Sequence, residues 1–303
     1  MNFPWQKMSM EEFAAAERSQ GVKVVKVNDI YWREVRACLY RPLLPFQELS
    51  PDAAVPPRAA WLGGCQYAVP PQASANSFLS VLIFENTKDY ALEKLHRDHR
   101  REVRQAAKQL TIRPVESADE FKEKAYRAYL SFYGRTHYQY KSERKDRDCF
   151  SRYADSLFQF PKIAVLGAYR NAELEAVSIS KLVEDTLVYS TVFGNTESLR
   201  LHVTSLMLHS IREALAGHEE IKRFYIGMYN FQGRTGVHGF YIYRGCRLII
   251  KPARLQLNPL AEIVLKYCMP KQYEKLYGGV ENVQELLAGH ENKNSDSGGS
   301  SGS

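Results

Sequence analysis

The chemistry open to this chain starts where a helix begins. Gly194-Asn195-Thr196 signals a loop, and Val203, Leu206, Met207, Ile211, Ala214 and Leu215 then recur at helical spacing. The first N–H groups of such a helix have no partner inside it and form a seat for an anion. In an enzyme, that seat predicts a phosphorylated donor near the helix start. A second feature also suits phosphate. Arg97, Arg101, Arg104 and Lys108 fall at spacings of four, three and four in a helix predicted over 88–110, so they share one face. The face fits a phosphate or RNA contact, and equally a solvated surface with Glu93, Asp98 and Glu102 as local partners.

Other chemistries lack their residues. There is no Gly-x-Ser-x-Gly elbow and no P-loop. Cys38, Cys65, Cys149, Cys246 and Cys268 are scattered, with no CxxC pair and no Cys/His run at zinc spacing. Neither a metal site nor a disulfide framework is expected, and the odd count fits a reducing compartment. Residues 1–20 are polar, without the apolar core of a signal peptide. No run approaches the roughly 18 apolar residues of a membrane helix. The expectation is a cytoplasmic protein without a membrane span. With 303 residues, 45% hydrophobic and 25% charged, the chain has the composition of a soluble globular protein with ample core. The net charge of +7 fits a nucleic-acid or phosphate-bearing partner, and equally a surface with excess Lys and Arg.

The elements that must position the helix start are a hairpin and its neighbours. Residues 177–183 and 186–193 alternate as strands, and Glu184-Asp185 stands where a two-residue turn belongs. Upstream, Ser9 and Glu12 form a capping box for a first helix, and Ser117 caps a helix that turns Phe121, Ala125, Tyr129 and Phe132 inward. Residues 60–69 read as a strand interrupted by Gly63-Gly64, and 133–147 as a polar, aromatic and basic loop. Downstream, 222–228 and 247–251 read as strands, 229–239 as a loop or broken helix, and Asn258-Pro259 as a helix start. The low-complexity stretch after Gly289 is read as a flexible tail.

From Thr111 onward the order is strand, helix, helix, strand, hairpin, helix, strand, helix, strand. This order resembles the core of the GNAT superfamily of acyltransferases, and more narrowly its Fem-type (FemAB-like) branch, which includes aminoacyl-tRNA-dependent peptidyltransferases. Three places carry the resemblance: Arg100-Arg101-Glu102-Val103-Arg104-Gln105-Ala106, Tyr133-Gly134-Arg135-Thr136-His137-Tyr138, and the hairpin with its helix. The resemblance implies an α/β fold (α+β with a mixed sheet) of GNAT type. It divides the chain into a degenerate N-terminal GNAT-like half over 1–110, a GNAT-like core over 111–257, C-terminal helices over 258–289 and a disordered tail over 290–303.

The same resemblance assigns roles. In GNAT enzymes the loop before the central helix carries [Gln/Arg]-x-x-Gly-x-[Gly/Ala], whose amides hold the pyrophosphate of acyl-coenzyme A. Its best match here is Arg200-Leu201-His202-Val203-Thr204-Ser205, which makes Arg200, His202, Val203, Thr204 and Ser205 the expected donor-phosphate group. Val203 stands where Gly is expected, and a side chain there crowds a phosphate. The departure leaves the donor open between acyl-CoA and aminoacyl-tRNA. An amphipathic helix start with no ligand is the plain alternative. The acyl group would lie in an opening between 189–193 and 224–228. Tyr229, Tyr189 and Asn230 are the expected catalytic residues, with His202 and His238 as further acid/base candidates. Tyr133, Arg135, Thr136 and Tyr138 are expected to cover a small-molecule or peptide amine acceptor. Ser178 and Ser180 share a strand face and either contact the acceptor or line a polar core. The activity implied is N-acyl transfer by direct attack of an amine, with tRNA as a partner if the donor is aminoacyl-tRNA. The alternative is a catalytically inactive GNAT-fold binding or scaffold protein.

Overall fold

The computed structural model describes residues 3, 5–136, 139–229 and 235–277. The expected catalytic residue Asn230, the expected acceptor contact Tyr138 and the tail 290–303 lie outside the described residues. The chain forms two compact units. One comprises Met1–Lys23, Val81–Gly227 and Gly236–Leu248, the other Val24–Ser80, Met228–Thr235 and Ile249–Ser303. The boundaries expected at 110 and 257 do not coincide with these units. The helix Arg97–Ala107 packs against the helix Val203–Ala216, so it clusters with the core rather than with an N-terminal half.

The first unit is built on a mixed sheet in the order Arg223–Met228, Thr186–Gly194, Glu173–Val183, Ile163–Arg170, Thr111–Pro114. Neighbours run antiparallel except for Thr186–Gly194 and Arg223–Met228, which are parallel. The hairpin turn falls at Glu184 and Asp185 as the sequence predicts, and Glu184 takes φ 54°. A positive φ at this position matches the twist of a two-residue hairpin. Asp185 then accepts from Arg223 Nη2 through both carboxylate oxygens, at 2.8 and 2.9 Å, which anchors the parallel strand to the same turn.

A continuous helix, Ala118–Glu120, Phe121–Ala125 with a π turn, and Tyr126–Thr136, packs on the sheet with the helix Arg147–Phe158. Phe121 stacks on Phe150 at 5.3 Å and 8° within a core that includes Ile179 and Phe193. The helix Val203–Ala216 buries Leu206, Met207, Leu208, Ile211 and Leu215. The first helix, Met10–Ser19, has the expected capping box at Ser9 and Glu12 and is held by Lys181, whose Nζ lies 2.6 Å from Glu17 Oε1.

In the second unit, Val24–Val27, Ile30–Arg36 and Leu39–Pro42 form an antiparallel meander, with Gly64–Ala68 parallel to Leu39–Pro42 and antiparallel to Arg247–Leu257. Trp32, Tyr40 and Tyr67 fill its core. Asn258 caps the helix Pro259–Cys268, and Pro270–Tyr277 follows.

Three predicted elements differ. The helix over 88–110 is shorter, Arg97–Ala107, after single turns at Thr87–Asp89 and Leu92–Lys94. Tyr90 takes extended angles that carry its ring to His209 and Arg212, a tertiary contact that outweighs the helical periodicity. The stretch 133–136 is the end of a helix rather than loop, because Tyr133 is buried. The strand expected over 60–69 begins at Gly64, after a turn at Arg58–Trp61. A Cβ at Gly63 would come within 2.6 Å of the Cys38 carbonyl oxygen, so that site requires glycine.

Candidate active site

The strands Thr186–Gly194 and Arg223–Met228 pair only at Thr186↔Arg223, Leu187↔Phe224 and Val188↔Tyr225. Beyond that point the register of the hairpin also shifts, between Tyr189 and Thr191. A bulge of this kind bends a strand and ends pairing. From Tyr189 onward the strand edge that faces Arg223–Met228 therefore has no ladder partner. Gly227, on the far side of the opening, has φ 149°, and a Cβ there would meet nothing within 4 Å.

Tyr189 stands at the bulge. It is buried, and its ring meets Phe224 edge-on at 5.4 Å. Burial, reinforced by nearby Tyr241, pushes its phenol well above the ordinary range. Tyr189 thus stays protonated, a state that can donate a proton but not take one up. Tyr229 is half-buried, and its N–H donates to the Ser80 carbonyl at 2.8 Å. Burial lowers the His238 pKa, so its imidazole is more readily neutral.

The helix start combines strain with open amides. His202 adopts the left-handed conformation, φ 56°, and no side chain caps the helix. Among the described residues, the N–H groups of Val203, Thr204 and Ser205 have no hydrogen-bond partner. The Val203 side chain is 1% exposed and points into the core. Its departure from glycine is thus a packing requirement. Arg200 is exposed, and His202 and Thr204 are half-buried.

Ser205 is not free for phosphate. Its hydroxyl donates to Glu102 Oε2 at 2.8 Å, and Arg244 Nη2 donates to both Glu102 Oε2 and, at 3.1 Å, Ser205 Oγ. Burial acts to raise the Glu102 pKa, but the Ser205 hydrogen bond and the Arg244 charge outweigh it and hold the carboxyl below its ordinary range. Arg244 stacks on Phe240 at 3.9 Å. Next to it, the Arg212 guanidinium lies between Phe84 and Tyr90 at 4.1 and 4.0 Å and donates to the Arg244 carbonyl. Burial lowers the Arg212 pKa to about 10. Sequence reasoning missed Arg244 and Arg212 altogether and read Glu102 only as a surface partner. No local pattern marks them, since Glu102 and Arg244 are 142 positions apart.

The expected acceptor residues divide. Arg135 lies at the mouth of the loop, with Nη1 at 3.5 Å from the Gly194 carbonyl and 3.4 Å from Thr196 Oγ1. Ser131 holds the same loop through the Thr196 N–H at 3.0 Å. Tyr133 is instead a core residue, joined to the Tyr129 hydroxyl at 3.1 Å and to the Tyr140 carbonyl. The Thr136 hydroxyl bonds back to the Phe132 carbonyl at 2.8 Å. Ser178 and Ser180 are fully enclosed, and Ser180 accepts from Trp5 Nε1 at 3.2 Å, so they line the polar core. Arg97, Arg101, Arg104 and Lys108 are all exposed, and among the described residues their side chains make no hydrogen bond or ion pair. The five cysteines are free, and among the described residues no group of three His, Cys, Asp or Glu could hold a metal ion. No helix among the described residues is long and apolar enough to cross a membrane.

No family model and no curated protein matches this sequence. Solved structures do match its fold. FemX superposes with a TM-score of 0.56 at 9% identity, over 88% of this chain and 95% of that one. The fold is GNAT-like, of the form that FemX takes. The C-terminal domain of a protein designated a lysylphosphatidylglycerol synthetase, from Agrobacterium fabrum, also superposes with a TM-score of 0.56, at 11% identity over 90% and 93% of the two chains. L-PGS from Bacillus licheniformis matches with a TM-score of 0.55, at 9% identity over 91% and 99%. At these identities the likeness establishes the Fem-type fold, not the reaction.

Proposed function

We propose that this Fem-type chain is an N-acyltransferase that moves an aminoacyl group from aminoacyl-tRNA to an amine. The observation that carries the reading is the opening after Val188 and Tyr225 in the same compact unit as the unpartnered amides of Val203, Thr204 and Ser205. The donor carbonyl would lie in the opening and a phosphate of its carrier at the helix start. The amine attacks the carbonyl, the C–N bond forms and the ester C–O bond breaks. The ribose oxygen takes up a proton as the amine loses one. Tyr189 is the proposed proton donor, and Arg135 the proposed acceptor contact.

The choice of tRNA over acyl-CoA rests on the exposed face of Arg97, Arg101, Arg104 and Lys108. The helix Arg97–Ala107 that carries it packs beside the helix Val203–Ala216. A coenzyme needs only a few phosphate contacts, whereas such a face suits a long polyanion. Transfer of a labelled amino acid from a charged tRNA pool to an amine panel, read by mass spectrometry, tests the reading. Product from acyl-CoA alone replaces the donor, and product from neither removes the enzyme. The second reading, a non-catalytic binding protein, draws on Tyr189, whose raised pKa leaves it unable to act as a base.

A further inference from the structure

The helix Pro259–Cys268 is fixed on its inner side. Leu265 packs against a cluster of Leu39, Leu255 and Leu276. Glu262 Oε1 accepts the hydroxyls of Tyr273 at 2.9 Å and Tyr277 at 3.1 Å from the next helix. With these positions turned inward, the outer face carries Leu260, Ile263, Val264 and Tyr267, which are 73%, 54%, 53% and 75% exposed. Their spacing of i, i+3, i+4 and i+7 makes one stripe. The turn before the strand Gly64–Ala68 adds to it. Asn258, the helix cap, donates from Nδ2 to the Trp61 carbonyl at 2.8 Å, and its N–H to the Gly63 carbonyl at 2.9 Å. These bonds bring Trp61 and Leu62, 76% and 73% exposed, to the start of the same helix.

Single exposed apolar residues are ordinary, but a contiguous group of this size marks an interaction surface. We infer that this face docks a second copy of the chain. The six side chains offer on the order of 800 Å², about one side of a standard protein interface. The stripe contains no charge and includes Trp and Tyr, the composition of the centre of a homodimer interface. A helical stripe laid antiparallel on its own copy satisfies two-fold symmetry, because each residue meets the same patch. A lipid surface fits less well. A helix that lies in a membrane interface carries a strongly basic polar face, whereas this one has Lys266 offset by Glu262.

Sedimentation velocity of the full chain from about 1 to 100 µM tests the inference, over the affinity range expected for such an interface. The expected result is a monomer–dimer equilibrium that Ile263→Asp weakens at least about tenfold, as for a central interface residue. Tyr267→Ser is the second variant, milder for folding, and is expected to act in the same direction. Lys266→Ala, outside the stripe, is expected to leave the equilibrium unchanged. A wild-type monomer across the whole range overturns the inference. So does a dimer that both stripe variants leave intact, or a monomer that is captured by vesicles containing anionic phospholipid.

Discussion

Glu102 receives the Ser205 hydroxyl at 2.8 Å, within the first turn of the helix whose open end is the proposed phosphate seat. A carboxylate near a helix start is favoured by the helix dipole, and Arg244 offsets its charge. The chain thereby fixes the helix start against the basic helix Arg97–Ala107 with its own side chains, while the first amides take no protein partner among the described residues.

This relationship has a pH signature. The Glu102 carboxyl is held below its ordinary value of 4.5, so the folded state binds its proton less readily than the unfolded chain. The stability it contributes is present above that ordinary value and is lost as pH falls through the lowered one. Glu102→Gln is expected to cost about 2 kcal/mol at pH 7, less than for a wholly enclosed pair because Glu102 retains some exposure. Urea denaturation at pH 7 and at pH 3.5 checks this, with the difference between the two proteins shrinking at the lower pH.

Val203→Gly restores the glycine of the coenzyme A pattern, yet it is expected to gain no coenzyme A affinity. The Val203 side chain is 1% exposed, so its removal opens a cavity and adds backbone freedom in the helix. The expected loss is about 3 kcal/mol of stability. Calorimetric melting and coenzyme A titration of the variant separate the two effects.

Lys181 is fully enclosed and lies 2.6 Å from Glu17. Glu17→Ala would leave an uncompensated ammonium and is expected to destabilise by roughly 3–5 kcal/mol, whereas the double variant Glu17→Leu with Lys181→Met is expected to fall much closer to wild type. Chemical denaturation of the two variants distinguishes an enclosed ion pair from a solvated one.

The basic face gives a kinetic expectation. Arg101→Glu with Arg104→Glu is expected to raise the KM for charged tRNA about tenfold near 0.1 M salt and to reduce the slope of log affinity against log salt by about 2. kcat at saturating donor is expected to change little, since both residues lie on the exposed face of the basic helix rather than at the proposed acyl opening.

What the sequence made legible was local. The turn at Glu184-Asp185 and the caps at Ser9, Ser117 and Asn258 depend on residues within a few positions of each other, and all four are present. The order of elements was enough to suggest the GNAT-like arrangement. The site was legible only in outline. The bonds among Glu102, Ser205 and Arg244 join residues 39 to 142 positions apart, and no spacing rule reports them. Tyr133 has the composition of a loop around it, but its ring lies in the core with Tyr129 and Phe150. Val203 departs from the phosphate-loop pattern for a packing reason that is visible only once its neighbours are placed.

The proposed reaction requires a polyanionic donor at the start of the helix Val203–Ala216. Filter binding of aminoacyl-tRNA to the purified protein across a salt series, with coenzyme A as competitor, tests it directly. Retention of the tRNA is expected to fall steeply with salt and to be little changed by coenzyme A. Tight coenzyme A binding with no retention of tRNA would contradict it.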